Sequence, residues 1–195
     1  YSNIASWTDE EFEQVVERLQ TARDGCAEDN AASIMAFCRE RGLPMASHDD
    51  TLVEHVEEAL DNGIAISEFP TTMEAARHAS ENGMLVLMGA PNVVRGGSHS
   101  GNISALEIAQ AGYLGSLSSD YMPVSLLEAA FALSEGGYMS LPAAVGLVTA
   151  NPAEAVGLTD RGSLEVGRRA DLVRGGMVEG QPVVRNVWRE GAEVF

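Results

Sequence analysis

The chain has 195 residues with 29 acidic against 12 basic side chains, for a formal net charge of -17, and all twelve basic residues are arginine. So acidic a balance excludes nucleic-acid recognition through a basic face. No apolar run approaches the ~20 residues that cross a bilayer, and the first residues lack the basic and apolar regions of a secretory signal. The expectation is a cytoplasmic protein with no nucleic-acid or membrane partner. Two cysteines, Cys26 and Cys38, are too few and too far apart for a zinc cluster or a disulfide framework, so buried or inert thiols are expected.

In chain order, Thr8 to Arg23 and about Asn30 to Arg41 read as two amphipathic helices, the first opened by a Thr8 and Glu11 capping box, the second closed by Gly42. A repeat follows. Leu43 to Ala46, Ile64 to Ile66, Met84 to Met88 and Tyr113 to Leu117 are short apolar runs of the kind buried on both faces of a sheet. Each leads through a polar tip to a helix start, with capping boxes expected at Thr51 and Glu54, Thr71 and Glu74, Ser104 and Glu107, and Ser125 and Glu128. Gly63, Gly83, Gly112 and Gly136 supply the left-handed stops. Strands alternating with helices imply parallel βαβ units, which place all four tips on one rim. Beyond them, a helix starts at Ser140-Leu141-Pro142 and is interrupted at Asn151-Pro152. From Gly162 the pattern turns to short strands, clearest over Ala170 to Arg174 and Val183 to Arg189, with Gly175-Gly176 and Gly180 as breaks and Trp188 in a packing position.

The tips carry the chemistry. They read Ser47-His48-Asp49-Asp50, Ser67-Glu68-Phe69-Pro70, Arg95-Gly96-Gly97-Ser98-His99-Ser100-Gly101-Asn102, and Ser118-Ser119-Asp120-Tyr121. The third joins flexible backbone, one cation and one imidazole ahead of a capped helix, a pattern suited to an anion such as phosphate, although an ordinary glycine-rich turn reads the same way. Imidazoles and carboxylates converging on a rim suit a divalent metal, with a further carboxylate available as base toward water. Each residue alone has a plainer reading as a cap or turn, and Asp50 in particular suits the start of the next helix. His55 and His78 fall inside helices and read as solvated or packed. Four such tips in register favour a functional rim.

The strings ASHDD, EFPTT, LMGAPNVVRGGSHSGN, LSSDY, VTANPA, ADLV and VVRNVWREG resemble the diphosphatase family of the carbon-phosphorus lyase pathway, within the amidohydrolase superfamily. The resemblance runs over essentially the whole chain and is weakest from Tyr1 to Arg41. It implies a TIM-like (β/α)8 metal-dependent hydrolase barrel beside a small composite β-domain. It implies as substrate the sugar phosphonate alpha-D-ribose 1-methylphosphonate 5-triphosphate, hydrolysed to the 5-phosphate and pyrophosphate. A complete barrel takes about 250 residues, so the chain is expected to hold its second half: residues 1-160 as catalytic partial barrel and 161-195 as the returning part of the β-domain. The family's first-strand metal motif has no counterpart here.

On that resemblance His48, Glu68 and Asp120 are metal ligands, with Asp120 also the base and His99 the second catalytic group. Arg95, Gly97, Ser98, Ser100 and Asn102 cradle the phosphate chain. The implied cofactor is a divalent ion, zinc, manganese or another transition metal. With no lysine, a carbamylated-lysine bridge cannot come from this segment. Sequence leaves open which rim groups touch metal and which touch phosphate, and a homo-oligomer is compatible with the reading. The alternatives are a deaminase or amide hydrolase on the same scaffold, against which the glycine loop argues, and an inactive fragment without the first-strand motif.

Overall fold

The structure, a computed structural model, describes residues 8–98 and 101–195. The expectations for His99 and Ser100 therefore lie outside the described residues. Contacts divide the chain into two compact units, Tyr1–Leu43 and Pro44–Phe195.

The first unit is a helical hairpin of α1 (Asp9–Asp24) and α2 (Ala27–Glu40). The Thr8 capping box forms in full: the Thr8 hydroxyl accepts from the Glu11 amide at 3.2 Å, and the Glu11 carboxylate accepts from the Thr8 amide at 2.8 Å. The Thr8 amide foremost, and the Thr8 hydroxyl donating to the same carboxylate at 3.0 Å, hold the Glu11 carboxyl below its usual range. Neither helix buries a residue. Cys26 is exposed rather than buried, because it sits in the turn between the helices, with its thiol donating to the Ala22 carbonyl.

The second unit is built on a parallel sheet in the order β1 (Ala46–His48), β2 (Ile66–Glu68), β3 (Leu85–Gly89), β4 (Ser116–Ser118). Its crossovers are α3 (Val53–Asp61), α4 (Met73–Glu81), and the pair α5 (Ala90–Arg95) and α6 (Ala105–Gln110); α7 (Ser125–Glu135), α8 (Leu141–Gly146) and α9 (Ala150–Ala155) follow. The expected mixed α/β class with parallel strands is thus observed. Val86, Met88 and Leu117 of the strands join a core with Val56, Ala75, Ala76, Ile108, Ala129, Ala130 and Leu133 of the helices. The many alanines let helices lie close against the sheet, and the long side chains fill the remaining space at high density.

Several local expectations are corrected. The strands begin one to three residues later than the apolar runs, because register pairs Ala46 with Ile66 and Ile66 with Leu85 and carries the ladder into the polar tips. Of the four boxes expected in this unit, the one at Ser104 and Glu107 forms. The Thr51 amide instead donates to His55 Nδ1. Thr72, one residue past the expected Thr71, caps α4. The Ser125 hydroxyl donates back to the Met122 carbonyl. The left-handed stop after α7 is Gly137 at φ 75°, while Gly136 stays right-handed. Asn151-Pro152 opens α9 instead of breaking a helix, since proline is accommodated in a first turn.

The chain closes with an antiparallel sheet of β5 (Leu172–Val178), β6 (Gln181–Arg189) and β7 (Ala192–Glu193). Gly175-Gly176 lies inside β5, where a register shift at Arg174/Gly175 absorbs the irregularity that the sequence reads as a break. Trp188 sits half-buried opposite Leu172, consistent with packing. Among the described residues no helix is long and apolar enough to cross a membrane.

Candidate active site

Parallel register creates the site. It places His48, Glu68, Leu87 and Ser116 in one row across the sheet, so their side chains leave the same face. His48 and Glu68 are the last residues of their strands, and His48 Nε2 stands 3.9 Å from Glu68 Oε2. On its other side, His48 Nδ1 is 3.2 Å from Asp49 Oδ2, and the Phe69 ring meets the imidazole edge-on at 5.5 Å.

Beneath this row Asp50 is buried, accepting from the Ser47 hydroxyl at 2.5 Å and the Ser67 hydroxyl at 2.9 Å. Its carbonyl takes the Thr71 amide at 2.8 Å. Asp50 is therefore a brace between the β1 and β2 tips, and α3 begins three residues later.

A cavity of about 140 Å³ opens beside the row at the carboxyl ends of β2, β3 and β4. Among its lining residues are Asp49, Phe69, Arg95, Ser98, Asn102 and Asp120. Arg95 lies 5.9 Å over the Tyr121 ring, within cation–π range. The expected site residues Arg95, Ser98, Asn102 and Asp120 thus meet at one cavity, while His48 and Glu68 form a neighbouring pair. Among the described residues no group of three His, Cys, Asp or Glu side chains is assembled to hold a metal. His48 and Glu68 offer one nitrogen and one oxygen donor, a set that suits a divalent transition ion.

The glycine loop is built differently from a bare phosphate cradle. Gly96, at φ 79°, ends α5, and the amides of Gly96 and Gly97 turn back to the carbonyls of Val93 and Asn92 at 3.0 Å each. Gly97 is thereby committed to the helix end. At α6, Ser104 takes the Glu107 amide at 3.2 Å and Asn92 Oδ1 takes the Ala105 amide at 3.0 Å, so first-turn donors are already engaged within the chain. The Ser104 hydroxyl, and secondarily its amide, hold the Glu107 carboxyl below its usual range. Among the described residues of the loop, Arg95, Ser98 and Asn102 line the cavity.

Sequence reasoning passed over Asp49 and Phe69. Among the described residues, Asp49, Phe69 and Asp120, at φ 60°, 53° and 48°, are the non-glycine residues of this sheet's tips in the left-handed region, and all three line the cavity. Such backbone is unfavourable for a bulky side chain and clusters at functional sites. The doublet Asp49-Asp50 was the available signal, because one carboxylate caps or braces and leaves the second to be explained.

These features define a class: a parallel α/β sheet whose strand ends carry imidazole, carboxylates and a cavity. The profile of the amidohydrolase family matches residues 5–191, and the chain belongs to that family. It is 48% identical over 197 positions to the alpha-D-ribose 1-methylphosphonate 5-triphosphate diphosphatase of Escherichia coli K12, a match taking in 100% of this chain and 52% of that protein. The chain thus spans about half the length of that relative. The fold is similar to that of an amidohydrolase from Thermotoga maritima, with a TM-score of 0.62 at 20% identity over 96% of this chain and 56% of the other. It is also similar to that of N-acetylglucosamine-6-phosphate deacetylase from Pasteurella multocida, with a TM-score of 0.65 at 12% identity over 86% and 55%.

Proposed function

We propose that this chain is part of a diphosphatase that hydrolyses alpha-D-ribose 1-methylphosphonate 5-triphosphate to the 5-phosphate and pyrophosphate in the cytoplasm. The observation that carries this reading is the 48% identity maintained along the whole chain to a protein of that name. The cavity in which Arg95, Ser98 and Asn102 meet Asp120 supports it, because a phosphoric anhydride needs cationic and polar groups beside a base. In this reading residues 1-160 belong to a (β/α)8 barrel and residues 161-195 to a small β-domain, the remaining strands coming from the other half of such a protein.

Asp120 accepts the proton of the attacking water, and His99 is the second catalytic group of the proposal. Arg95, with Ser98, Ser100 and Asn102, holds the phosphate chain and offsets charge gathering on the departing pyrophosphate, while Gly97 serves the turn that carries them. His48 and Glu68, with Asp120, would hold a divalent ion together with ligands from the rest of the barrel. When bound, such an ion supplies Lewis-acid polarisation of a phosphoryl oxygen and a more acidic water. The side chains of this chain orient the triphosphate so that the water lies in line with the scissile bond.

The test is to incubate the full-length protein with the triphosphate and assay the products. Stoichiometric pyrophosphate is expected. Release of ammonia or a free carboxylate from amide substrates, with no pyrophosphate, would replace this reading with a deaminase or amide hydrolase.

A further inference from the structure

We infer that Asp49 is a positioning residue that fixes the orientation and tautomer of His48, an inference that rests on the reading of His48 as a metal ligand. The Asp49 carboxylate stands 3.2 Å from Nδ1, against 3.9 Å between Nε2 and Glu68, so the nearer negative charge favours the proton on Nδ1. Nε2 then keeps its lone pair toward Glu68, which is the form a nitrogen ligand needs. The Phe69 ring closes on the same imidazole at 5.5 Å and 90° and limits its rotation.

Backbone conformation argues that this arrangement is retained for its side chains. Asp49 at φ 60° and Phe69 at φ 53° follow directly on the strand ends that carry His48 and Glu68. Glycine would adopt the left-handed region without penalty at either position. The Asp49 carboxylate is also more than half exposed, and among the described residues it pairs with His48, whereas the bracing of the strand tips falls to the buried Asp50 next to it. A turn residue needs no carboxylate here, whereas an imidazole that must present Nε2 does.

The experiment uses full-length protein stripped of metal with a chelator and labelled with ¹⁵N-histidine, in solution basic enough to leave imidazoles neutral. His48 is assigned by loss of its signals in His48→Gln. In the unsubstituted protein Nδ1 is expected to carry the proton and Nε2 to give the unprotonated signal. Asp49→Gly suits the left-handed backbone, so the fold should melt no lower than the unsubstituted protein, yet the His48 signals should move toward the Nε2-protonated form favoured by free histidine. Affinity for Zn²⁺ alone should fall about 10- to 100-fold. Asp49→Asn keeps an acceptor oxygen and tolerates the same φ, and should recover part of both effects. Unchanged His48 signals in Asp49→Gly, or a proton on Nε2 before substitution, overturns the inference. The pyrophosphate assay on unsubstituted protein judges the proposed function separately, so either can fail while the other stands.

Discussion

Asp50 takes the hydroxyl of Ser67 at 2.9 Å across the β1–β2 ladder, from a position where both residues are buried. That bond, with the one from Ser47, joins the strand ends that carry His48 and Glu68. Removing the acceptor leaves a fully buried hydroxyl unsatisfied. Asp50→Ala should therefore lower the unfolding free energy by about 1.5 to 3 kcal/mol, and Asp50→Asn by less because one acceptor oxygen survives. Urea denaturation followed by circular dichroism measures both, and equal stability of all three proteins would remove Asp50 from its bracing role.

The start of α6 is tied down by Ser104 and by Asn92 from α5. Ser104→Ala should cost about 1 kcal/mol and speed amide hydrogen exchange at Glu107. Faster exchange at Glu107 with no change in α1 would show that the cap acts locally.

For the chemistry, Asp120→Asn in the full-length protein should lower turnover about 10²- to 10⁴-fold, since an amide cannot accept the proton. The fold should survive, because asparagine tolerates the φ of 48° at this position. Pyrophosphate release measured beside a melting curve separates the two effects, and near-normal turnover would take Asp120 out of the mechanism.

Arg95 lines the cavity and lies over Tyr121. Arg95→Ala should weaken binding of the triphosphate by roughly ten-fold to more than a hundred-fold. Binding of an analogue with a single 5-phosphate should change far less. Isothermal titration of both ligands decides the matter, and equal losses would move Arg95 to the ribose, the methylphosphonate or a structural contact. A loss that shrinks with added salt marks an exposed ion pair.

The C-terminal sheet should respond to acid. Asp171 accepts from the Glu190 amide at 2.9 Å and from Arg169 Nε at 3.0 Å, and these contacts, the backbone one foremost, hold its carboxyl below the ordinary value of 3.8. A carboxyl depressed in the folded state contributes its stability fully above its unfolded value and loses it as pH falls through the folded one. The β5–β6 hairpin should therefore hold at neutral pH and loosen below about pH 4, with the acid-induced part abolished in Asp171→Asn. Near-ultraviolet circular dichroism of Trp188 follows it.

Alternating βα units were legible because short apolar runs, polar tips and glycine stops recur with one period, and each is a local property of the chain. The rim was legible for the same reason: parallel crossovers oblige all strand ends to one side. Which hydroxyl caps which helix was not: the Thr51 amide goes to His55 and the Ser125 hydroxyl to Met122, local partners that compete with the expected boxes, while the Thr71 hydroxyl donates to Thr51, a partner that exists only once the strand tips are side by side. Residue types determined that a cation, an imidazole and carboxylates would lie at the strand ends, as Arg95, His48, Glu68 and Asp120 do. Tertiary structure alone decided that Asp50 braces the β1 and β2 tips through Ser67, leaving Asp49 to His48, and that Phe69 takes a left-handed turn into the cavity. Those outcomes depend on strand register, which sets which side chains share a face and is paid for by contacts far apart in sequence.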